Sequence, residues 1–364
     1  MLRFLSETGR KPPVGTALLR LDFNTEDDWR MRAVLPTIKF LLKTSPRIVI
    51  ASHKGRPRGF EKELSLRKNA AALSRLLGRK VVFVPDFNFK KIKEDVAASP
   101  RGSIFLLENL RFEPGEEANS PRFARQLASL ADFYVNDAFA VSHRANASVA
   151  AVAKLLPGYA GLELEREIRS LSRVMRNPKR PVVFIVGGAK AADKLDVLKF
   201  FRNRADWFLL GGGPANTVLA LRGMDIKQSI RDTDPKNIPA LKKFSHSRKV
   251  VVPVDFHWHG DRIWDIGPET AADFAKKLAA AGTILWSGPL GMIEKPAFAK
   301  GSIAVARAVT RNRRAFSVSG GGETVMFLRQ YRFDRRFSFI STGGGAMIDF
   351  LAGRKLPGIA ALER

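Results

Sequence analysis

Short apolar segments alternate with longer segments of helical periodicity along almost the whole chain. Most of the apolar segments are bounded by Gly, Pro or Asp, which is typical of strands buried in a parallel sheet. The pattern predicts strands at Ala17–Asp22, Arg47–Ser52, Lys80–Pro85, Ile104–Glu108, Phe133–Asp137, Val182–Val186, Trp207–Leu210, Val250–Val254, Thr283–Trp286, Phe316–Ser319 and Phe337–Ser341.

Helical segments lie between these strands. They are predicted at Met31–Lys43, Leu66–Leu77, Arg122–Leu130, Ala191–Arg202, Glu269–Ala281 and Ala297–Val309. Alternation of strand and helix indicates an α/β protein with parallel sheets. The predicted strands are too many for one typical open sheet, so we expect two doubly wound, Rossmann-like domains.

A long amphipathic segment separates the two predicted domains. In Gly161–Arg176, apolar residues recur at helical spacing, with Glu early and Arg late, as suits the helix dipole. We expect domains at residues 1–160 and 177–350, joined by a hinge helix at 161–176. Residues 351–364 are expected to pack back on the first domain.

Composition narrows the class of protein. The chain has 364 residues, enough for two sizeable cores, and no cysteine, which excludes disulfides, a cysteine zinc site and a thiol nucleophile. No apolar run reaches the length of a signal peptide core or a membrane span. We therefore expect a cytoplasmic protein that does not bind membranes.

The formal net charge is +27, from 62 basic and 35 acidic residues. Such a balance raises the possibility of nucleic-acid binding. The basic residues are spread among core-forming segments, however, and no detached basic tail or recognisable nucleic-acid motif is present. A solvated, charge-rich surface is the favoured interpretation.

Four glycine-rich turns in the second half each follow a predicted strand and precede a helix. They begin at Gly187, Gly211, Gly320 and Gly343. Strand carboxyl ends meet at one edge of a doubly wound sheet, where glycines let backbone N–H groups approach a phosphate. None of the turns has Walker A or dinucleotide-fingerprint spacing. We expect a phosphate-rich ligand, and the spacing disfavours a P-loop ATPase and a nicotinamide dehydrogenase.

Lys190 and Lys194 follow the first of these turns at helical i, i+4 spacing. That spacing places both on one helix face near the N-terminus, which is unfavourable for cations unless an anion binds there. A solvated pair with Asp193 as partner is the alternative. We favour anion binding.

The first half collects basic residues at predicted strand ends. They are Arg30, His53, Arg56, Arg111 and Arg144. Arginine suits bidentate contacts with carboxylate and phosphate groups, so their convergence predicts a small, strongly anionic substrate. An anion-binding half and a phosphate-cradling half together indicate a phosphoryl-transfer enzyme whose domains close.

Ordered blocks of the sequence, which contain most of these residues, resemble the phosphoglycerate kinase family over nearly the full chain. The blocks are Leu-Arg-Leu-Asp-Phe-Asn (19–24), Arg-Met-Arg-Ala-Val-Leu-Pro-Thr-Ile-Lys (30–39), Ser-His-Lys-Gly-Arg-Pro (52–57), Leu-Glu-Asn-Leu-Arg-Phe (107–112), Tyr-Val-Asn-Asp-Ala-Phe (134–139), Gly-Gly-Ala-Lys-Ala-Ala-Asp-Lys (187–194), Asp-Ile-Gly-Pro-Glu-Thr (265–270), Trp-Ser-Gly-Pro-Leu-Gly (286–291) and Ser-Thr-Gly-Gly-Gly-Ala (341–346).

The resemblance implies reversible phosphoryl transfer between 1,3-bisphosphoglycerate and ADP, giving 3-phosphoglycerate and ATP, by a monomer that uses Mg²⁺ with its nucleotide. The implied 3-phosphoglycerate-binding residues are Asp22, Phe23, Asn24, Arg30, His53, Arg56, Arg111 and Arg144. The implied catalytic residues are Arg30, Lys190 and Lys194. The implied nucleotide-binding residues are Gly188, Lys194, Gly212, Gly213, Pro289, Glu294, Gly320, Gly321, Gly322, Glu323 and Thr324, with Glu323 also meeting the magnesium ion.

The chain departs from the family pattern at several positions. Glu323 stands where the family usually has Asp, and Ser287 where it usually has Asn; the others are Asn146, Ala140 and Pro214. Two hypotheses follow: an active phosphoglycerate kinase, or a weakened paralogue that binds anions or RNA. Retention of every substrate arginine and both lysines favours the first.

A pair of histidines lies outside this pattern. His257 and His259, with Asp255 or Asp261, are a further candidate metal site, although a surface loop explains the pair as well.

Overall fold

A computed structural model describes residues 2–9 and 13–363, and within it the chain forms two compact units. The first comprises Met1–Ile168 and Lys355–Arg364, and the second comprises Arg169–Arg354. Each unit has its own parallel sheet, so the predicted fold of two parallel α/β domains is confirmed.

The first unit contains a six-stranded parallel sheet. Its strands are β1 (Ala17–Arg20), β2 (Arg47–Ala51), β3 (Val81–Val84), β4 (Ser103–Leu107), β5 (Phe133–Asn136) and β6 (Gly158–Ala160). The spatial order is β3-β4-β2-β1-β5-β6. Helices α1 (Trp29–Ala33), α2 (Leu35–Thr44), α3 (Arg67–Leu77), α4 (Phe89–Ala98), α5 (Pro114–Glu117), α6 (Pro121–Ala128) and α7 (Leu162–Arg176) follow in the chain.

The second unit contains another six-stranded parallel sheet and a hairpin. The strands are β7 (Val182–Val186), β8 (Trp207–Leu210), β9 (Val250–Val251), β10 (Phe256–His259), β11 (Arg262–Ile266), β12 (Thr283–Ser287), β13 (Phe316–Gly320) and β14 (Phe339–Ile340). The sheet order is β14-β13-β12-β7-β8-β9, and β10 pairs antiparallel with β11. Its helices are α8 (Leu195–Phe201), α9 (Gly212–Leu221), α10 (Ile238–Ser245), α11 (Pro268–Ala280), α12 (Lys300–Arg311), α13 (Gly322–Gln330) and α14 (Gly345–Leu351), and α15 (Pro357–Ala360) returns to the first unit.

Both sheets are buried on their two faces, as all-parallel sheets usually are. Strand β1 is buried throughout, and so are β7 and β12. Trp286 is the largest fully buried side chain of the described chain and packs beside Phe327 and Phe337. Apolar burial of this kind stabilises by roughly 25 cal/mol per Å² and fixes the strands on which the loops are mounted.

The order of the strands determines where each sheet binds ligands. In the first sheet the chain begins at β1, adds β2 on one side and later β5 on the other. In the second it begins at β7, adds β8 on one side and later β12 on the other. A doubly wound sheet binds ligands beyond the strand carboxyl ends at such a reversal. The loops after β1, β2, β7 and β12 are therefore the places to look for a site.

Prolines account for two differences from the predicted elements. The predicted helix Met31–Lys43 divides at Val34, because Pro36 has no N–H to bond back into α1 and is accommodated in the first turn of α2. The predicted strand Val250–Val254 ends at Val251, just before Pro253, which lacks the N–H that a central strand needs. Local backbone chemistry overrides the apolar pattern at both places.

Helix α7 spans the boundary between the units, which falls between Ile168 and Arg169. Its first turn is held by remote side chains, since the N–H of Leu162 donates to Thr37 at 3.0 Å and that of Leu164 to Asp137 at 2.9 Å. The hinge motion predicted for this helix stays a prediction.

The C-terminal segment contacts the first unit in two places. The Gly358 N–H donates to the Ser142 carbonyl at 2.8 Å, and Asn136 Nδ2 donates to the Gly358 carbonyl at 3.2 Å. A side chain at Gly358 would clash with Val149 and Ser142, so this close approach requires glycine.

Part of the positive charge lies at helix C-termini. Basic residues occupy the last turn of α2, α3, α6, α7, α8, α10, α11, α12 and α13. Cations are favourable there because they oppose the partial negative charge of the helix dipole. This placement gives a structural reason for some of the surplus that the sequence alone left unexplained.

Among the described residues, no helix is both long enough and apolar enough to cross a membrane.

Asp265, buried at the end of β11, gives a testable dependence of stability on pH. Its carboxylate accepts from the Gly301 N–H at 2.7 Å and from the Ile266 N–H at 2.9 Å, yet burial raises its pKa from 3.8 to about 7. Between those values the folded state keeps a proton that the unfolded chain releases. This group's contribution to the free energy of unfolding therefore falls as pH rises from about 4 to about 7.

We expect Asp265→Asn to remove this dependence. The free energy of unfolding of wild type minus that of the variant should decrease between about pH 4 and about pH 8, measured by urea unfolding with tryptophan fluorescence. Asp261→Asn, which removes an exposed carboxylate from the same hairpin, is the matched control. An unchanged difference across this range would show that Asp265 is ionised in the folded protein.

Candidate active site

In the first unit, hydrogen bonds join the loops after β1 and β2. The Asn24 N–H donates to Asp22 Oδ1 at 2.8 Å, and Asn24 Oδ1 accepts from the Gly55 N–H at 2.8 Å. The Phe23 N–H donates to Ser52 Oγ at 3.0 Å, with the Phe23 ring buried beneath the loop. Asp22, Phe23 and Asn24 thus form a fixed floor at the carboxyl edge of the sheet.

Arg30, on α1, reaches this floor. Its Nη1 donates to Asp22 Oδ2 at 2.8 Å and lies 3.4 Å from the Asn24 carbonyl oxygen. Its Nε is buried and has no hydrogen-bond partner. An unpaired buried donor costs free energy, so this N–H is available to an anion.

His53 lies just after β2, and its side chain is almost entirely buried. Burial lowers its pKa well below 6.5, and the positive charges of four nearby arginines lower it further. They are Arg20, Arg111, Arg144 and Arg30, in order of decreasing effect. The imidazole is therefore neutral at physiological pH and lies in a strongly positive field.

Arg111 and Arg144 also lie in this field, whereas Arg56 is exposed in the loop after β2. Arg111 Nη1 donates to the Gly55 carbonyl, and its Nε is 3.2 Å from Glu117 Oε1. Burial, followed by the charge of Arg144, lowers the pKa of Arg111. The structure therefore brings together the predicted basic residues other than Arg56.

Arg20, the last residue of β1, is a member of this cluster that the sequence analysis missed. It is only 2% exposed, and its Nε donates to Ser148 Oγ at 2.7 Å while its Nη2 lies 3.8 Å from Glu116 Oε1. The sequence could have indicated Arg20, because an arginine inside an otherwise apolar, buried strand needs polar partners from outside that strand.

In the second unit, the loops after β7 and β12 approach each other closely. The Gly188 N–H donates to the Pro289 carbonyl at 2.7 Å, and the Gly187 N–H donates to the Ser287 carbonyl at 2.9 Å. A Cβ at Gly187 would lie 2.0 Å from the Pro289 carbonyl oxygen, so no other residue fits. Two glycine-rich loops therefore meet at the strand reversal of this sheet.

A pocket of about 500 Å³ opens beside these loops. Its lining includes the predicted residues Gly188, Gly212, Gly213, Pro289, Glu294 and Glu323. The sequence analysis missed Gln228, Ile230, Arg262, Ile263, Trp264 and Met292, which also line it. The size, apolar walls and few polar groups are typical of a small-molecule site.

Strand β11 supplies three of the lining residues that the sequence did not predict, Arg262, Ile263 and Trp264. The Ile263 N–H donates to Ser229 Oγ at 2.8 Å, and the Met292 N–H donates to the Trp264 carbonyl at 2.9 Å. The sequence pattern did not predict the hairpin. Its short strands mix aromatic and polar residues around a turn, a composition that is also typical of a loop.

Glu323 lines this pocket, and Lys194 lies beside the lining residue Gly188. A Cβ on Gly188 would be 3.5 Å from Lys194 Nζ and 4.0 Å from Glu323 Oε2, so both charged groups face the same glycine. Burial lowers the pKa of Lys194, an effect that Asp193 and Glu323 oppose. A half-buried ammonium beside a glycine-rich loop is suited to a phosphate group.

The prediction that Lys190 and Lys194 share one helix face is wrong. Lys190 is exposed and precedes a short 3-10 turn, Ala192–Lys194, and α8 begins only at Leu195. The Ala192 N–H donates to Asp232 Oδ2 at 3.1 Å, so a remote carboxylate takes up a free N–H of this first turn.

The remaining glycine turns also open helices. Gly321, with φ +97°, precedes α13, and Gly344, with φ +44°, precedes α14. Gly320 and Gly322 flank Gly321. Thr324 is buried, and its Oγ1 accepts from the Gly288 N–H at 2.8 Å, so it supports the neighbouring loop.

The histidine pair does not form a metal site. His259 packs against Trp264 and Phe298, with ring centroids 4.8 and 5.5 Å away. Asp255 accepts hydrogen bonds from the start of α11. Within the described part of the chain, no group of three His, Cys, Asp or Glu residues could hold a metal ion.

Comparison with known proteins agrees with this arrangement. A sequence model described as phosphoglycerate kinase matches residues 15–354. The chain is 39% identical to phosphoglycerate kinase of Dictyoglomus turgidum and 41% identical to that of Moorella thermoacetica, covering 95% of both chains in each case. It superposes on phosphoglycerate kinase of Pyrococcus horikoshii with a TM-score of 0.87 at 30% identity, over 100% of this chain and 98% of that one. For Coxiella burnetii phosphoglycerate kinase the TM-score is 0.83 at 35% identity, over 95% of each chain. The chain belongs to the phosphoglycerate kinase family.

Proposed function

We propose that this chain transfers a phosphoryl group reversibly between 1,3-bisphosphoglycerate and ADP, giving 3-phosphoglycerate and ATP. In this assignment residues 1–160 and 351–364 form the 3-phosphoglycerate domain, 177–350 the nucleotide domain and 161–176 the hinge. We assign all of the site residues to one chain, so the proposed enzyme is a monomer. The glycolytic reaction is assigned to the cytoplasm.

The basic cluster around His53 is the observation that carries the proposal. It gathers four guanidinium groups and leaves the buried Nε of Arg30 without a partner. Such a site is unfavourable when empty and is neutralised by a small, multiply charged anion. Phosphoglycerate supplies a carboxylate and a phosphate for it. Asp22 and Asn24 would position the sugar-acid hydroxyl, and Arg56 would join from its exposed loop.

The pocket of the second unit is assigned to the nucleotide. Gly212, Gly213 and Pro289 would contact the base, and Glu294 the ribose. Lys194 and the N-terminus of α13, which begins after Gly321, would hold the phosphates. The apolar walls suit a purine ring, and the charged end suits its phosphates.

The residues near Glu323 fit a magnesium ion that would bind together with the nucleotide phosphates. Mg²⁺ is usually held by one or two carboxylates with substrate phosphates and water, and Glu323 is an exposed carboxylate facing the same glycine as Lys194. When bound, the ion would neutralise phosphate charge. Glutamate here is one methylene longer than the family's usual aspartate, and α13 places it at its first turn.

The chemistry needs no covalent protein intermediate. The protein's task is to hold the acyl phosphate and the ADP β-phosphate in line and to stabilise charge on the phosphoryl group in transfer. Arg30 and Lys190 are assigned to that charge, and Lys194 to the nucleotide phosphates. Exposure of Lys190 leaves it free to engage the transferring group.

Replacing Arg30 tests the proposal. Arg30→Ala removes a guanidinium that stabilises the transition state, and kcat/KM for 3-phosphoglycerate with Mg-ATP should fall by about a hundredfold or more in a coupled assay. Arg32→Ala is the control, because Arg32 lies on the same helix, is 60% exposed and pairs with Asp28. We expect its activity to stay within about twofold of wild type.

Two outcomes of this assay would contradict the proposal. One is a wild-type protein with no turnover of 3-phosphoglycerate. The other is an equal loss in Arg30→Ala and Arg32→Ala, since that would assign the effect to general positive charge rather than to the site.

Glu323 provides a separate test of the magnesium assignment. In Glu323→Gln the carboxylate is lost, so the affinity for ADP in the presence of Mg²⁺ should fall at least about tenfold, equivalent to about 1.4 kcal/mol. Metal-free ADP should bind no more weakly, because a negative charge near its phosphates has been removed. Calorimetric titration with and without Mg²⁺ distinguishes these effects, and equal losses in both conditions would rule out a role in metal binding.

A further inference from the structure

We infer that Arg20 is a positioning residue that holds His53 in the neutral tautomer with its proton on Nε2, making His53 a hydrogen-bond donor to the bound anion. The donor role rests on the proposed binding of 3-phosphoglycerate. The tautomer itself follows from contacts inside the first unit and can be measured without substrate.

The geometry around His53 Nδ1 decides between the two neutral tautomers. Arg20 Nη2 lies 3.3 Å from Nδ1, and a guanidinium can only donate. The alternative partner of Nδ1 is Asp22 Oδ1, at 3.9 Å, which is too long for a hydrogen bond. A proton on Nδ1 would point at the Arg20 N–H group and gain no acceptor. The lone pair of Nδ1 therefore faces Arg20, and the proton is on Nε2.

Arg20 is itself rigidly held. Ser148 Oγ accepts from Arg20 Nε and donates to Glu116 Oε1 at 2.5 Å, and the Ser148 N–H donates to Glu116 Oε2 at 2.9 Å. Tyr134 Oη donates to the Ser148 carbonyl at 2.8 Å. Arg20, Glu116, Tyr134 and Ser148 are each at most 2% exposed. The guanidinium can hardly rotate, so its contact with His53 is preorganised.

The charged groups around the imidazole keep it from becoming a cation. Arg20, Arg30, Arg111 and Arg144 oppose protonation, and burial opposes it more strongly. Asp22 is the nearest carboxylate, and it is already paired with Arg30 at 2.8 Å. A neutral Nε2–H adds a directional donor without adding another charge to an already positive cluster. This division of roles leaves charge neutralisation to the arginines and orientation to His53.

Nitrogen NMR of the full-length protein tests the tautomer directly. Long-range ¹⁵N–¹H correlation spectra of histidine-labelled protein distinguish protonated from unprotonated ring nitrogens, and the chain has only five histidines. The His53 signals are identified by their absence in His53→Gln. We expect a neutral ring protonated at Nε2 at neutral pH. A ring protonated at Nδ1, or at both nitrogens, would overturn the inference.

Substitution of Arg20 tests its part in the effect. Arg20→Lys keeps a cationic donor and should keep the Nε2–H form. Arg20→Met combined with Glu116→Gln removes the donor without leaving a buried carboxylate unpaired, and the ring should then populate the Nδ1–H form. Persistence of a pure Nε2–H ring in the folded double variant would contradict the role of Arg20. If the double variant does not fold, the wild-type spectrum still decides the tautomer.

Replacement of His53 tests the donor role. Its Gln variant keeps an N–H donor near the Nε2 position, whereas His53→Leu has none. We expect the Kd for 3-phosphoglycerate to rise about ten- to a hundredfold in His53→Leu and clearly less in His53→Gln. Equal losses would contradict the donor role. Failure of wild type to bind 3-phosphoglycerate would instead overturn the proposed function and leave the tautomer result intact.

Discussion

Four guanidinium groups held around one buried imidazole set the main constraint on the first unit. Their positive charges and the burial of the ring oppose protonation of His53, so the imidazole stays neutral among four cations. Carboxylates offset part of this positive charge, since Asp22 pairs with Arg30, Glu116 with Arg20 and Glu117 with Arg111. Hydrogen bonds from β1, β2 and the loops that follow them hold these charged side chains in place. In the proposed function, a small bound anion would neutralise this cluster.

The candidate site of the second unit is built mainly from backbone in glycine-rich loops, whereas that of the first unit is built from charged side chains. Glycines at the ends of β7 and β12 let two loops approach so closely that a Cβ at Gly187 would collide with a carbonyl oxygen. Beside these loops lies a pocket with apolar walls, with Glu323 in its lining and Lys194 next to Gly188. Both units place their candidate sites at the strand reversal of a doubly wound sheet, and we propose a compact anion for the first and a nucleotide for the second.

Sequence pattern predicted the two parallel sheets, because buried parallel strands leave short apolar runs between glycines and prolines. It also placed Asp22, His53 and Arg111 at strand ends. It missed the β10–β11 hairpin, whose strand β11 lines the pocket only because distant segments pack against it. It also missed Arg20, whose role becomes visible only through its hydrogen bond to the distant Ser148. The lysine pair was wrongly placed on one helix face, since Lys190 precedes a 3-10 turn and α8 begins only at Leu195. Nothing in the fold or the comparisons favours a weakened, RNA-binding relative.

The most direct test of this account is calorimetric titration of 3-phosphoglycerate into the nucleotide-free protein. The account predicts one site per chain, an affinity that weakens as salt concentration rises, and loss of binding in Arg111→Met but not in Lys194→Met. Arg111 belongs to the cluster around His53, whereas Lys194 belongs to the pocket of the second unit. Binding that survives Arg111→Met and is lost in Lys194→Met would contradict the assignment of the anion to the first unit.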